Sequence, residues 1–307
     1  MTAATRVLRV GTRGSLLART QTDLVVAALG TPVEIVPIVT AGDRSTAAMD
    51  QIGGTGVFVS ALRSALLDGD IDVAVHSFKD LPTAAADGIV IAAVPPREDP
   101  RDALVARDGL TLGELPAGSR VGTGSPRRSA QLRALGYGLS IEPLRGNVDT
   151  RLGRVAKGDL DAVVLALAGL RRLGRDDEVT EILDPIQLLP APAQGALAIE
   201  CRASDEAARA ILSTVDSPDS RAAVAAERAL LAALEAGCTA PVAALAEIAE
   251  GDDGIEVFLR GSVTAPDGSR AVRLSATGPV TDAEGVGRRL AAELIAEGAD
   301  KMMGSSR

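Results

Sequence analysis

Lys79 and Asp80 are the residues best placed to do chemistry, because they closely follow a predicted buried strand, Ile71–Val75. In α/β proteins, ligands bind beyond the carboxyl ends of such strands. A carboxylate at this position can accept hydrogen bonds from N–H groups and stabilise a cation that forms beside it. The same two residues are also compatible with a local ion pair or a helix cap.

Arginines gather at two glycine turns, Gly11–Ser15 and Gly122–Pro126, each of which follows a predicted strand and opens a helix. The backbone N–H groups at a helix start form an anion site, and the guanidinium group binds carboxylates through paired hydrogen bonds. The arginines at these turns and at later strand and helix ends are Arg13, Arg127, Arg128, Arg145, Arg151, Arg171 and Arg172. Any one of them could be a solvated surface charge, but together they predict a cleft for a polycarboxylate or polyphosphate.

The sequence lacks the motifs of a nucleotide-binding loop, a serine hydrolase and a metal site. The sequence has no GxxxxGK[ST] motif for a nucleotide and no GxSxG motif for a serine hydrolase. With one histidine and two distant cysteines we expect no metal site, and we expect His76 to be a hydrogen-bonded residue at its strand end. Cys238 follows a glycine in a predicted loop, where a thiol could be a nucleophile or not, whereas Cys201 is predicted in a core strand.

Composition limits the class of protein. The 307 residues carry a net charge of −9 and are 46% hydrophobic, which is typical of a globular chain and unlike a protein that coats nucleic acid. The two cysteines form no disulfide framework, and neither a signal peptide nor an apolar run long enough for a membrane span is found. We therefore expect a cytoplasmic protein with no nucleic-acid or membrane partner.

The predicted elements divide the chain into three regions. A strand at 7–10, a helix up to Leu29, a strand at 33–39, a helix at 60–67 and a strand at 71–75 indicate parallel βαβ units. The pattern returns after a Pro-rich connector at 95–102, with strands near 121, 141–144 and 162–165 and a helix at 127–135. A long helix at 220–236, strands at 242–248, 255–263 and 270–277, and a helix at 282–297 predict a small α+β region. The predicted domains are 1–97 with 195–216, 98–194, and 217–307.

Eight ordered segments carry a resemblance that covers nearly the whole chain. They are RVGTRGSLLA (9–18), AVHSFKDLP (74–82), REDPRDAL (97–104), GTGSPRR (122–128), LRGNVDTRL (144–152), AGLRRLG (168–174), PAQGALAIECR (192–202) and LEAGCTAPV (234–242). By these segments the sequence resembles the porphobilinogen deaminase family, also called hydroxymethylbilane synthases.

The resemblance implies a fold and a reaction. The expected fold is α/β, with two domains like the lobes of periplasmic binding proteins and a small C-terminal α+β domain that contains a three-stranded antiparallel sheet. The expected reaction joins four porphobilinogen molecules head to tail with loss of four ammonia, after which water releases hydroxymethylbilane for tetrapyrrole and heme biosynthesis. The expected protein is a monomeric transferase whose partners are porphobilinogen and the growing oligopyrrole.

The resemblance also implies roles for individual residues. A dipyrromethane cofactor, one per chain, would be attached as a thioether to Cys238, and Asp80 would stabilise the cationic azafulvene left when ammonia departs. The expected cofactor-binding residues are Lys79, Thr123, Ser125, Arg127 and Arg128. The expected substrate-binding residues are Arg13, Ser15, Arg145, Arg151, Arg172 and Gln194. Phe58 matches an aromatic residue of the loop that covers the site.

Three positions depart from the family pattern. Gln51 and Thr55 stand where the covering loop commonly has lysines, and Gly124 stands where the cofactor turn commonly has serine. Two other functions remain open from the residues alone. One is a non-catalytic anion-binding protein with two lobes, and the other is an acyl or phosphoryl transferase, for which no base or metal site is recognisable.

Overall fold

The computed structural model describes residues 6–38, 56–235, 240–251 and 254–303, with the backbone alone for 56–58. It contains thirteen β-strands and eight α-helices within these ranges. The strands are β1 Leu8–Arg13, β2 Val33–Ile38, β3 Val73–Ser77, β4 Ile89–Ala93, β5 Asp102–Ala106, β6 Arg120–Thr123, β7 Ser140–Pro143, β8 Ala162–Ala166, β9 Glu181–Ile182, β10 Leu197–Arg202, β11 Val242–Gly251, β12 Gly254–Thr264 and β13 Ala271–Pro279. The helices are α1 Leu16–Leu29, α2 Gly56–Leu67, α3 Pro126–Ala134, α4 Val148–Ala156, α5 Leu167–Arg172, α6 Glu206–Leu212, α7 Pro218–Ala233 and α8 Ala283–Ala296.

The chain forms two compact units. Unit 1 comprises Met1–Arg97 and Ala196–Arg221, and unit 2 comprises Glu98–Gly195 and Ala222–Arg307. Unit 2 contains both the second α/β sheet and the C-terminal sheet. The division into three domains that we expect from the sequence therefore stays a prediction.

The sheet of unit 1 has the strand order β2-β1-β3-β10-β4. Strand β1 runs parallel to β2 and β3, whereas β10 runs antiparallel to both of its neighbours. The side chains of Leu8, Val10, Val73, Ile199 and Cys201 form its core on one face. Thus Cys201 lies in a buried strand, as the sequence predicts.

The α/β sheet of unit 2 repeats this arrangement, with the order β7-β6-β8-β5-β9. Strand β6 is parallel to β7 and β8, and β5 is antiparallel to β8 and β9. The strands for which the sequence predicts parallel βαβ units, β1 to β3 and β6 to β8, are indeed parallel, whereas β5 and β10, which that prediction did not include, are antiparallel. The antiparallel strands β5 and β10 each follow a chain segment that leaves the other sheet, so no crossover helix constrains their direction.

The C-terminal region is a three-stranded antiparallel sheet in the order β11-β12-β13, with α8 packed against β12 and β13. Its core joins Val257 and Leu259 of β12 to Leu230 of α7 and to Val286 and Leu290 of α8. These apolar positions of α8 recur at helical spacing, as the sequence predicts. The expected fold class, two α/β sheets and a small α+β region, is confirmed.

Local sequence explains where the helices next to the glycine turns begin. The side chain of Ser15 accepts a hydrogen bond from the N–H of Ala18 at 3.3 Å and caps α1. Ser125 caps α3 by accepting from the N–H of Arg128 at 3.4 Å, and Pro126 takes the first helical position. Among the described residues, no helix has the length and apolar character to cross a bilayer.

Candidate functional site

A pocket in unit 1 lies at the carboxyl end of β3, where the sequence predicts chemistry. Its lining residues come from β1, β3, α1, α2 and the short helix Phe78–Asp80. They are Arg13, Ser15, Leu17, Ala18, Gln21, Val59, Val75, His76, Ser77 and Asp80. The structure therefore brings three predicted site residues, Arg13, Ser15 and Asp80, into one pocket. Lys79 lies beside them in the chain and is exposed.

The wall of this pocket contains polar side chains that are buried. Gln21 and Ser77 are joined by a side-chain hydrogen bond of 2.9 Å between Nε2 and Oγ. His76 Nε2 lies 3.2 Å from Glu200 Oε2, which is within ion-pair distance. Glu200 also accepts two hydrogen bonds from Arg63, and burial alone would raise its pKa, but His76 and Arg63 lower it. The pocket wall is thus a preorganised polar surface beside Asp80.

Unit 2 contains a buried ion cluster centred on Asp102, at the start of β5. Arg127 Nη2 donates to Asp102 Oδ2 at 2.7 Å, and Arg128 Nη2 donates to Oδ1 at 2.7 Å. Burial alone would raise the pKa of Asp102, but the two guanidinium groups outweigh it and hold that pKa at about 2. One carboxylate faces two arginines, so these three side chains carry a net positive charge.

Arg127 and Arg128 use several of their donors on the protein itself. Arg127 Nη1 donates to the Leu189 carbonyl at 2.6 Å, and Arg128 Nη1 donates to the Val164 carbonyl at 3.0 Å. Both side chains are almost fully buried. Burial lowers the pKa of Arg127, and Asp102 opposes that effect. These arginines therefore supply positive charge from beneath the turn that begins α3.

Thr123 and Ser125 are held in the same turn. The backbone N–H of Ser125 donates to Thr123 Oγ1 at 3.2 Å, while the Ser125 hydroxyl caps α3. Gly124 lies between them, and a Cβ atom there would be 2.5 Å from the Leu144 carbonyl oxygen. The departure from the family pattern at Gly124 thus coincides with a close backbone contact.

Arg151 and Arg145 extend the positive charge from Arg128. Arg151 lies in α4 and donates from Nε to the Gly146 carbonyl at 2.8 Å, and Arg145 is exposed just after β7. Burial lowers the pKa of Arg151, and the like charges of Arg128 and Arg145 lower it further. An anion with several carboxylates would relieve this repulsion, so the three arginines together are suited to bind one.

Arg172 and Gln194 both make contacts at the chain segment that ends at Gly195. Arg172 Nη2 donates to the Gly195 carbonyl at 2.6 Å, and burial lowers its pKa against the opposing charge of Glu98. Gln194 Nε2 donates to Asp102 Oδ1 at 2.8 Å, and its Oε1 accepts from Arg128 at 3.3 Å. Of the two predicted substrate-binding residues, Gln194 therefore belongs to the segment that follows Ala193, and Arg172 is hydrogen-bonded to it.

Some predicted site residues cannot be placed. Cys238, Gln51 and Thr55 lie outside the described residues. Phe58 belongs to α2, but its side chain lies outside what the structure describes. Their roles stay predictions.

The sequence reasoning missed Asp102, Glu200 and Glu227 as functional candidates. Each is a buried acid in an otherwise apolar part of a strand or helix. An acid in a buried apolar run needs a partner, since a buried lone charge is costly. An acid within a predicted apolar run therefore indicates a buried pair, although the sequence does not reveal which arginine or amide is the partner.

Two sheets of one strand order, a polar pocket lined by Arg13 and Asp80, and a cluster of buried arginines define the class: an α/β protein with a repeated sheet topology and sites for anionic ligands. Residues 8–210 match the family model "Porphobilinogen deaminase, dipyromethane cofactor binding domain", and residues 222–296 match "Porphobilinogen deaminase, C-terminal domain". The chain belongs to the porphobilinogen deaminase family. The first match is a cofactor-binding domain, which confirms the expected dipyrromethane cofactor.

Full-length relatives agree with this assignment. The porphobilinogen deaminase of Mycobacterium marinum is 60% identical over 305 residues, which is 97% of this chain and 97% of that protein. The porphobilinogen deaminase of Mycobacterium tuberculosis strain H37Rv is 60% identical over 97% of this chain and 98% of that protein.

Solved structures that resemble the chain are more distant. A probable amino-acid ABC transporter extracellular-binding protein from Bacillus subtilis is 10% identical, covers 69% of this chain and 90% of its own, and has a TM-score of 0.40. The L-cystine solute receptor of Neisseria gonorrhoeae is 16% identical, covers 68% of this chain and 84% of its own, and has a TM-score of 0.37. At these values the likeness says nothing about function.

Proposed function

We propose that this chain is a hydroxymethylbilane synthase, a transferase that joins four porphobilinogen molecules head to tail and releases hydroxymethylbilane. The single observation that carries the proposal is the group of arginines at the starts of α3 and α4, in which burial lowers the pKa of Arg151 and the like charges of Arg128 and Arg145 lower it further. Each porphobilinogen unit brings an acetate and a propionate, so a growing chain of such units supplies the missing negative charge. Family membership supports the same reaction.

The dipyrromethane cofactor fits the residues of unit 2. A dipyrromethane made from two pyrrole units carries four carboxylates, and the Asp102 cluster has an excess of positive charge to receive them. The residues that would hold these carboxylates are Thr123, Ser125, Arg127 and Arg128 of unit 2 together with Lys79 of unit 1, and Cys238 would form the thioether. When bound, the cofactor supplies the primer to which substrate rings are added, and its attachment makes each later coupling intramolecular.

Asp80 is the proposed catalytic residue. It lines a pocket together with Arg13 and Ser15, whose side chains are suited to orient a substrate carboxylate. In this proposal the carboxylate of Asp80 would accept N–H hydrogen bonds from the pyrrole and would stabilise the cation that forms as ammonia leaves. Arg145, Arg151, Arg172 and Gln194 are the proposed contacts of the lengthening chain, and Phe58 is the proposed cover.

The organisation of the protein completes the proposal. We propose three domains, at 1–97 with 195–216, 98–194 and 217–307. We also propose that the protein acts as a monomer in the cytoplasm and contributes to heme biosynthesis.

Intact-mass measurement tests this function with two cysteine variants. Wild-type protein should be heavier than its sequence by two linked pyrrole units, and Cys238→Ala should lose both the increment and the activity. Cys201→Ala is the matched control and should keep both. Cys201 is fully buried, and burial followed by the charge of Asp205 raises the pKa of its thiol, which makes it a poor nucleophile. An active wild-type protein of unmodified mass would overturn the proposal.

A further inference from the structure

Glu227 is a fully buried acid in α7 that the proposed reaction does not use. Its Oε2 accepts a hydrogen bond from the backbone N–H of Ala193 at 2.6 Å, and its Oε1 accepts from the backbone N–H of Ala246 at 2.8 Å. Ala246 belongs to β11, whereas Ala193 belongs to the segment before β10. One carboxylate therefore joins the C-terminal sheet to the chain that leads out of the second α/β sheet.

The backbone at Ala193 is in an unusual conformation. Its φ is +62°, in the left-handed region that favours glycine, and the residue is fully buried. A non-glycine residue keeps this conformation only where its surroundings impose it. The hydrogen bond from Ala193 to Glu227 is charge-assisted and buried, so it is a strong constraint of this kind.

The residues directly after Ala193 contact the arginines of the proposed site. Gln194 donates to Asp102 at 2.8 Å and accepts from Arg128 at 3.3 Å, and Gly195 accepts from Arg172 at 2.6 Å. A rotation of the backbone at Ala193 would move both acceptors. The position of Ala193 therefore influences where the guanidinium groups of Arg128 and Arg172 lie.

Further contacts hold residues 189–195, here called the 189–195 segment, against the C-terminal sheet. The N–H of Ala244 donates to the Pro190 carbonyl at 3.0 Å, and Leu189 packs with Ala243 and Leu245. All three partners belong to β11, which begins at Val242, four residues after Cys238. The strand that follows the cofactor cysteine is thus tied to the segment that positions the arginines.

We propose that Glu227 is a positioning residue that holds the 189–195 segment in register with β11, and thereby fixes Arg128 and Arg172 relative to that strand. This role rests on the proposed function, because Arg128 and Arg172 are the proposed contacts of the cofactor and of the lengthening chain. In this proposal Glu227 does not contact substrate. It acts by binding the backbone N–H groups of Ala193 and Ala246, and its effect reaches Arg128 through Gln194.

Steady-state kinetics of Glu227→Gln, with Leu230→Ala as the matched control, test this role. Leu230 lies one turn further along α7, is fully buried in the C-terminal core and should cost stability when truncated, without any change in the hydrogen bonds of the 189–195 segment. Well below both melting temperatures, Glu227→Gln should raise the KM for porphobilinogen about tenfold or more. Leu230→Ala should keep a KM within about twofold of wild type.

Hydrogen exchange provides a readout independent of activity. Peptides covering the 189–195 segment should exchange faster in Glu227→Gln than in Leu230→Ala. Glu227→Asp, which keeps the charge and shortens the side chain by one methylene, replaces Glu227→Gln if that variant does not fold. An unchanged KM and unchanged exchange in the Glu227 variant, or equal changes in Leu230→Ala, would overturn the positioning role. Wild-type protein lacking the two-pyrrole mass increment would instead contradict the proposed function.

Discussion

Arg128 donates two hydrogen bonds to the same oxygen of Asp102, from Nε at 3.0 Å and from Nη2 at 2.7 Å, and both side chains are buried. Arg127 binds the other oxygen of Asp102, so both oxygens of this carboxylate accept hydrogen bonds from arginine. Asp102 is therefore the buried counter-charge of the two arginines beneath the turn that begins α3.

Removal of the Asp102 carboxylate should destabilise the protein strongly. In Asp102→Asn, Arg127 and Arg128 lose their buried counter-charge, and breaking a buried pair costs about 3–5 kcal/mol. Urea denaturation should report this loss. Asp159→Asn removes the half-exposed partner of Arg154 and should cost only about 0–1 kcal/mol. Equal losses in the two variants would mean that the buried cluster has no special role in stability.

Replacement of Arg151 should impair chain growth while leaving the fold intact. Arg151→Gln removes a charge that Arg128 and Arg145 repel, so the melting temperature should stay within a few degrees of wild type. Loss of one charged hydrogen bond to a carboxylate should lower kcat/KM about 10- to 100-fold. Masses of the enzyme–intermediate complexes should shift toward shorter chains. Arg154→Gln, an exposed neighbour on the same helix, should retain the wild-type distribution.

Asp80 should matter for turnover and little for stability. Asp80→Asn keeps the size of the side chain and removes the negative charge in the pocket, so kcat should fall on the order of 10²-fold or more. The variant should still carry the cofactor, as measured by intact mass. Asp87→Asn changes an exposed acid of the same unit and should leave kcat unchanged. A kcat of Asp80→Asn close to that of wild type would exclude the electrostatic role.

Low pH should reduce the stability of unit 1, because it protonates Asp72. This buried residue accepts hydrogen bonds from Arg6, Arg9 and Arg202. Burial would raise its pKa, but the hydrogen bonds from Arg9 and Arg202 dominate and hold the pKa at about 2.

Because the pKa of Asp72 is lower in the folded state, its stabilisation is full above pH 4 and is lost as the pH falls toward 2. The expected loss is about 2 kcal/mol of unfolding free energy. Urea denaturation of wild type and Asp72→Asn between pH 6 and pH 2.5 measures it. The two unfolding free energies should converge at low pH, whereas Asp70→Asn, at an exposed site, should parallel wild type. Parallel curves for Asp72→Asn would contradict the assignment.

A side chain at Gly124 should be poorly tolerated. A Cβ atom there would meet the Leu144 carbonyl at 2.5 Å, so Gly124→Ala should cost about 1–3 kcal/mol in thermal or urea denaturation. Gly153→Ala adds a Cβ atom in open space within α4 and should instead stabilise the protein by about 0.5–1 kcal/mol. A neutral Gly124→Ala would show that the Leu144 carbonyl moves at little cost.

Local sequence determined much of the fold and the position of Asp80. Apolar periodicity predicts β3, β8 and α8, and the serines of the two glycine turns cap α1 and α3 as their positions suggest. These features depend on residues within a few positions of one another. The family motifs then name the candidate site residues one by one.

Tertiary structure decided which charged residues are neighbours and which strands of each sheet are parallel or antiparallel. Asp102 of β5 pairs with Arg127 and Arg128 of α3, and Glu227 binds an N–H group 34 residues away. Strands β5 and β10 run antiparallel to the strands beside them, and each is reached by a connection from the other sheet rather than by a local turn. A sequence shows that a buried acid needs a partner, but only the folded chain selects that partner, since selection depends on distances set by the packing of remote elements.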